Sequence, residues 1–263
     1  MSAKRSRKPA SPARKPKART AWYRGSKLLD VLVLGAWSMV LFRYWITGKI
    51  FLLLHPDYMW LANGAAIVLL GMASFKLFQK KTVNQAPASH STLLPPSVSS
   101  FILLAVAVVA LIYTPRAFAS ETAIQRGISD SLTLTRAQPQ RFVRQMSSEE
   151  RTIIDWIRTL NVYPEPDAYT GQGVKVSGFV IHPDDWPEGY LMLSRFVLTC
   201  CAADAYPVGL PVQLAVSRQA YAPDSWLEVE GKMVTATIDG QRQLTIEPTK
   251  LETIPEPRNP YEY

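Results

Sequence analysis

Three long apolar runs dominate the hydropathy pattern of the first 115 residues. They cover about residues 28–46, 59–78 and 98–113, close to the roughly 20 residues that a helix needs to cross a bilayer. Such runs, almost free of charged residues, predict three transmembrane helices. Tyr44 and Trp45 stand at the end of the first run, where an aromatic belt is expected at the membrane surface. The N-terminal region is therefore predicted to be a multi-pass α-helical membrane segment.

The pattern after residue 146 has a different period. Serines and carboxylates from Ser147 to Glu150 predict the start of a helix, and its apolar face would comprise Ile153, Ile154, Trp156, Ile157 and Leu160. Alternation with period two then predicts five strands, at 174–181, 190–200, 208–216, 225–238 and 243–254. Gly178 and Gly231 inside strands fit sharp coiling or close backbone approach. We predict that residues 147–263 form an all-β domain, a small OB-like five-stranded barrel preceded by a helix, with an open sandwich as the alternative.

Charge is divided unevenly between these two regions. The net charge is +13 up to residue 115 and −5 beyond it. This asymmetry is typical of a membrane protein that keeps basic loops in the cytoplasm and exports a neutral or acidic domain. Three spans with a cytoplasmic N-terminus place residues 147–263 outside the cytoplasm, so we predict a multi-pass protein of the plasma (inner) membrane. An acidic exported domain also argues against a nucleic-acid partner.

The remaining segments are predicted to be connections. Residues 1–27 contain ten cations and no acid, interleaved with prolines, which predicts a disordered basic cytoplasmic tail. Residues 84–97 form a Pro/Ser linker between the second and third spans, and residues 116–146 an exposed connector. The sequence Ala117-Phe118-Ala119 resembles a signal-peptidase site, and the sequence alone does not decide whether it is cleaved.

Cys200 and Cys201 are the only cysteines of the chain and form its most distinctive chemical feature. The sequence contains no GxSxG, P-loop, HExxH or dinucleotide-binding motif, so no enzymatic activity is predicted. Neighbouring residues on a strand point to opposite faces, so the two thiols share a site only if the strand ends or bends there. The following Ala-Ala-Asp-Ala segment favours such an end.

Three interpretations of the cysteine pair remain open. In the first, both cysteines are small buried hydrophobic residues and Asp204 caps a turn. In the second, the thiols are redox-active in an oxidising exterior. In the third, the thiolates form an open metal site with Asp204 and His182, suited to zinc or another thiophilic ion. His55 and His90 are isolated in the sequence and are not predicted to complete a metal site.

Taken together, these features resemble the YcgQ-like family of two-component permease subunits. The resemblance covers most of the chain from about residue 28 and includes Gly178-Phe179, Arg195-Phe196, Cys201, Ala203-Asp204, Trp226 with Gly231, and Pro260-Tyr261 with Tyr263. It implies an accessory role beside a larger polytopic permease with a poorly defined substrate. Some members carry a His-rich loop between spans two and three, which suggests metal handling. Here that loop holds only His90, so this feature is not carried over.

We therefore expect a non-enzymatic accessory subunit of a two-component permease. Its partners would be a polytopic permease and the lipid bilayer, and its exported domain would bind or gate a substrate near Cys201 and Asp204. The alternatives are a membrane-tethered extracytoplasmic thiol redox protein and a structural scaffold without a ligand site. The sequence leaves the substrate, the direction of transport and the oligomeric state undetermined.

Overall fold

The computed structural model describes residues 18–79, 96–127 and 147–263. The chain divides into two compact units. The first comprises Met1–Ile46 and Leu61–Thr114, and the second comprises Thr47–Trp60 and Pro115–Tyr263. The short segment between the first two long helices thus belongs to the second unit, which the hydropathy pattern did not indicate.

The first unit is helical, with α1 at Ala18–Ile46, α2 at Met59–Phe78 and α3 at Pro96–Ile112. α1 begins inside the predicted tail 1–27, because residues 17–46 contain no proline and Ala, Arg and Lys are good helix formers. The tail up to residue 17 and most of the linker 84–97, including His90, lie outside the described residues.

Two segments in the described part of the chain are long and apolar enough to cross a membrane. They are Lys27–Ile46, with 20 residues, and Pro56–Phe78, with 23. The third predicted span is a shorter apolar helix, since it begins at Pro96 and ends at Ile112. Two such helices indicate membrane association only weakly, because a signal sequence or the core helix of a soluble protein has the same length and composition.

Polar side chains connect the three helices within the first unit. Lys76 Nζ lies 2.6 Å from Asp30 Oδ2, and Ser100 Oγ donates to Asp30 Oδ1 at 3.3 Å. Fourteen residues further along α1, the Tyr44 hydroxyl donates to the Ala110 carbonyl at 2.9 Å. α3 therefore lies beside α1 over the length from Asp30 to Tyr44.

The second unit contains two shorter helices, α4 at Ser120–Gln125 and α5 at Ile153–Val162. α5 begins later than predicted, because Thr152 is its N-cap and forms a capping box with Asp155. Ser148–Glu150 is a separate 3-10 turn. The predicted apolar face is confirmed, since all five of its residues are buried.

The strands of the second unit form one mixed sheet. Six strands occur in the described part of the chain: β1 Gly173–Ile181, β2 Tyr190–Val197, β3 Tyr206–Gln213, β4 Trp226–Ile238, β5 Gln241–Ile254 and β6 Tyr261–Glu262. Their order is β1-β4-β5-β3-β2-β6, and β1 also pairs with β2. The neighbours are antiparallel except for β3 with β5 and β2 with β6, which are parallel.

The prediction of a five-stranded OB-like barrel was wrong in two respects. The sheet has a sixth strand, because Tyr261 and Glu262 pair with the end of β2. Its outline is ring-like rather than a barrel, since β3 and β5 are joined at the single pair Val212 and Ile246. The all-β character and the preceding helix are confirmed.

Two hydrophobic clusters hold the second unit together. The larger is formed by the buried face of α5 and the apolar residues of β1 to β5. The smaller is aromatic, and its stacked centre is Phe179 against Phe196, with ring centroids 5.6 Å apart. Trp226 and Tyr261 complete it. Several residues that carry the family resemblance are therefore core residues of the domain.

Candidate functional site

The cysteine pair lies directly beyond the end of β2. The strand stops at Val197, and a 3-10 turn at Ala202–Asp204 follows. The Asp204 carboxylate stabilises this change of direction, because Oδ2 accepts from the Cys200 amide at 2.8 Å and Oδ1 from the Cys201 amide at 3.1 Å. The predicted strand end is thus confirmed, although it comes three residues earlier than expected.

Because the backbone turns here, both thiols face the same side. Cys200 Sγ and Cys201 Sγ are 3.7 Å apart, and both cysteines are free thiols. One ligand atom from each cysteine and one carboxylate oxygen of Asp204 all lie within 4.8 Å of one another. Cys200 is exposed, while Cys201 and Asp204 are half-buried. Three of the four predicted metal ligands are therefore brought together at an accessible position.

The fourth predicted ligand lies elsewhere. His182 follows the last residue of β1, and its Nε2 is buried without a hydrogen-bond partner. Its nitrogens are not part of the group formed by the thiols and Asp204. The structure therefore separates His182 from the other three residues. β1 and β2 are antiparallel with Ile181 opposite Met192, so His182 lies near the start of β2, whereas the cysteine turn follows its end.

The carboxylate controls the acidity of the exposed thiol. Asp204 accepts a hydrogen bond from Cys200 and, with a smaller effect of Cys201, raises the pKa of Cys200 from 9.0 to about 11. The pKa of Asp204 itself is lowered. Burial raises this pKa, but hydrogen bonds from the Cys200 thiol and from the backbone amides of Cys201, Cys200 and Thr199 have the larger combined effect. At pH 7 the carboxylate is therefore ionised and Cys200 is a neutral thiol.

A segment far away in the sequence pairs with the cysteine turn. Leu54 and Cys201 form an antiparallel bridge, in which the His55 amide donates to the Cys200 carbonyl at 3.0 Å and the Ala202 amide to the Leu53 carbonyl at 2.9 Å. The segment belongs to Thr47–Trp60, the part of the second unit that lies between α1 and α2 in the sequence. His55, which is isolated in the sequence, therefore lies opposite Cys200 in the fold, although its nitrogens are not part of the group formed by the thiols and Asp204. Only tertiary pairing reveals its position.

A cation supports the turn from the other side. Arg126, which follows α4, donates to the Ala205 carbonyl and, at 3.5 Å, to the Ala202 carbonyl. Its guanidinium lies 4.7 Å from the centre of the Phe118 ring. Phe118 belongs to the Ala117-Phe118-Ala119 segment, and its amide donates to the Tyr261 hydroxyl at 3.3 Å. This segment is thus packed into the second unit.

Replacing Asp204 by asparagine is expected to make Cys200 more reactive. Loss of the negative charge lowers the thiol pKa toward 9.0, and the larger thiolate fraction exceeds the accompanying loss of nucleophilicity. In a Cys201→Ser background, the rate of iodoacetamide labelling at pH 7.5 should rise about tenfold. Asp185→Asn, an acid in an exposed turn, is the matched control and should leave the rate unchanged. An unchanged rate in the Asp204 variant would show that the carboxylate does not control the thiol.

The comparisons with known proteins concern the second unit. Residues 138–263 match the model of the DUF1980 C-terminal domain. No curated protein and no solved structure matches the chain. The family match carries no activity, substrate or partner with it. The C-terminal region thus resembles the DUF1980 C-terminal domain, which fits the YcgQ-like family to which the sequence is similar.

Proposed function

We propose that the chain is an accessory membrane subunit of a two-component permease and that its β domain binds a thiophilic metal ion as cargo. The observation that carries the proposal is the convergence of Cys200, Cys201 and Asp204 within 4.8 Å. Two sulfur donors and one carboxylate suit zinc or a similar borderline ion better than magnesium or calcium, which prefer oxygen ligands.

The exposure of the three donors favours exchange over permanent retention. Structural zinc sites are closed by four protein ligands, whereas sites with three protein ligands keep a position for water or another molecule. Cys200 is exposed and the turn lies at the domain surface. An ion held here would be accessible to a delivering or receiving partner, as cargo binding requires.

The geometry of the first unit supports a third membrane span. α3 is 17 residues long, which corresponds to about 25 Å of helix. It lies beside α1 from Asp30 to Tyr44, the same stretch that contains most of the apolar residues of α1. In this proposal all three helices cross the bilayer, the basic N-terminal region stays in the cytoplasm, and the β domain is exported. The polytopic permease would associate through the exposed apolar faces of these helices.

Metal binding can be tested on the full-length chain in detergent. Under reducing, metal-free conditions, titration with Zn²⁺ against a chromophoric chelator should give one ion per chain. Cys201→Ser should weaken binding by about 100-fold or more, since a thiolate ligand is lost. Asp185→Asn should bind as the wild type does. Because each bound thiol releases a proton, affinity should rise by up to about tenfold per thiol for each pH unit between 6 and 8.

Two separate measurements test metal binding and the association with a permease. Absence of stoichiometric Zn²⁺ binding by the reduced wild-type chain would rule out the cargo proposal. Copurification of a polytopic partner from native membranes tests the permease association separately, and its failure would remove the accessory role while leaving metal binding in place.

A thiol redox role is the second candidate, and the observation in its favour is the 3.7 Å separation of the two sulfur atoms. The raised pKa of Cys200 opposes it, because the thiolate is the attacking species in disulfide exchange. Thiol trapping in intact cells distinguishes the two: a redox protein cycles between oxidised and reduced forms, whereas a metal site stays reduced. A scaffold without a ligand site predicts that Cys200→Ser with Cys201→Ser leaves transport intact.

A further inference from the structure

We propose that His55 supplies a fourth donor to an ion held by Cys200, Cys201 and Asp204, and that Asp57 orients its imidazole ring. This inference rests on the proposed function and names a ligand that neither the motif nor the family match indicates. It makes the site a composite of two chain segments that are about 145 residues apart in the sequence.

Backbone pairing brings His55 to the thiols. Its amide donates to the Cys200 carbonyl at 3.0 Å, in the antiparallel bridge centred on Leu54 and Cys201. Residues opposite each other in antiparallel pairs have Cβ atoms about 4.5–5.5 Å apart. The imidazole nitrogens lie outside the group whose ligand atoms are all within 4.8 Å, so coordination requires a side-chain rotation. The backbone needs no rearrangement, because the pairing already sets the spacing of the two segments.

A carboxylate stands beside the imidazole ring of His55, as it does at many metal-binding histidines. Nδ1 accepts a hydrogen bond from the Asp57 amide at 3.1 Å and lies 3.7 Å from Asp57 Oδ2. Histidines that bind metal through Nε2 usually present the Nδ1 proton to a carboxylate, which fixes the ring and strengthens the ligand. Asp57 provides such a carboxylate two residues away. Because Nδ1 is an acceptor in the structure, binding through Nε2 requires the other tautomer of the ring. In that tautomer Nδ1 gives up the bond from the Asp57 amide and donates its proton to the Asp57 carboxylate.

The ring is also confined by its packing. It stands edge-on to the Tyr263 ring with centroids 4.8 Å apart, and its side chain is 17% exposed. Two thiolates, one carboxylate and one imidazole would complete a tetrahedral set, as zinc prefers.

The low number of histidines allows a direct test. The chain has three, His55, His90 and His182, so the double variant His90→Gln with His182→Gln retains His55 alone. X-ray absorption at the zinc edge of this full-length variant, purified without a histidine tag, should show one imidazole in the coordination shell. The triple variant, which adds His55→Gln, should lose the imidazole signal and retain the two sulfur scatterers.

Affinity provides a second readout. His55→Gln should weaken Zn²⁺ binding by about 10- to 100-fold, and Asp57→Asn by about tenfold, because it removes only the orienting carboxylate. His182→Gln is the matched control and should have no effect.

A double variant that binds zinc through sulfur but shows no imidazole would overturn the inference and leave the proposed function intact. Failure of the wild-type chain to bind zinc would overturn both. The absorption measurement on the double variant keeps the test decisive even if His55→Gln disturbs folding.

Discussion

Replacing Gly231 by alanine is expected to destabilise the second unit by about 3 kcal/mol, the largest effect of a single methyl group in this domain. A Cβ atom at this position would overlap the Glu247 carbonyl oxygen and lie 2.8 Å from Pro248 Cα. Both obstacles are backbone atoms of β5, at the point where the register of β4 and β5 shifts. The neighbouring strand can yield only by breaking its pairing. Pulse proteolysis of the full-length chain over a urea series measures the change.

The matched control is Gly189→Ala. A Cβ atom there would meet only the Leu214 carbonyl oxygen, at 3.9 Å, which is an ordinary van der Waals contact. We expect a change within about 0.5 kcal/mol. Equal stability of the two alanine variants would show that β5 can move away from β4 without cost, and that the close approach is not what requires glycine.

Replacing Arg195 by methionine is expected to destabilise the second unit by about 3 kcal/mol at pH 8. The Arg195 side chain is 14% exposed, and its Nε and Nη2 donate to the carbonyl and hydroxyl oxygens of Ser177, both at 2.9 Å. Its nearest carboxylate is Glu262, which is 9% exposed and 3.9 Å away. Removal of one partner leaves the other charge buried without compensation, which typically costs about 3–5 kcal/mol.

The pH dependence identifies the uncompensated group. Burial raises the pKa of Glu262, while the Ile154 amide and Arg195 lower it. Because the folded pKa lies above the unfolded one, the native state binds the proton more tightly, and the stability contributed by the protonated form is lost as the pH rises through the folded pKa. Without Arg195 that pKa rises further, so the Arg195→Met variant should recover part of its stability on going from pH 8 to pH 5.

A double-mutant cycle provides the control. Adding Glu262→Gln to Arg195→Met removes the buried charge but keeps an oxygen that can accept from the Ile154 amide, which Glu262 binds at 2.8 Å. The double variant should be more stable at pH 8 than Arg195→Met alone, and its stability should depend less on pH between 5 and 8. If Arg195→Met is equally destabilised at both pH values, the loss comes from its contacts with Ser177 and Trp226.

The local patterns of the sequence were sufficient for most of the elements. The apolar run at 59–78 coincides with α2, and the alternating segments at 225–238 and 243–254 match β4 and β5 closely. These predictions succeed because the helix and strand periods are set by neighbouring residues along one element. The predicted close approach at Gly178 is also confirmed, since a Cβ atom there would lie 2.6 Å from the Ser194 carbonyl oxygen.

The candidate site was predictable only in part. The spacing of Cys200, Cys201 and Asp204 within five residues indicated a turn, and the carboxylate does cap both cysteine amides. His182 was included because of its chemistry and its place after a strand, but the sheet separates it from the turn. No periodicity could show that separation, because it depends on how different strands are aligned.

The sequence by itself determined the two-part organisation, the amphipathic face of α5, the strand segments and the thiol-carboxylate turn, because these follow from short-range periodicity and local hydrogen bonding. Only the tertiary structure decided that the sheet is ring-like with six strands, that Tyr261 and Glu262 pair with β2, and that His55 lies across from Cys200. The reason is physical: pairings between distant segments depend on which exposed strand edges remain available once the cores have formed, and the composition of a short segment does not contain that information.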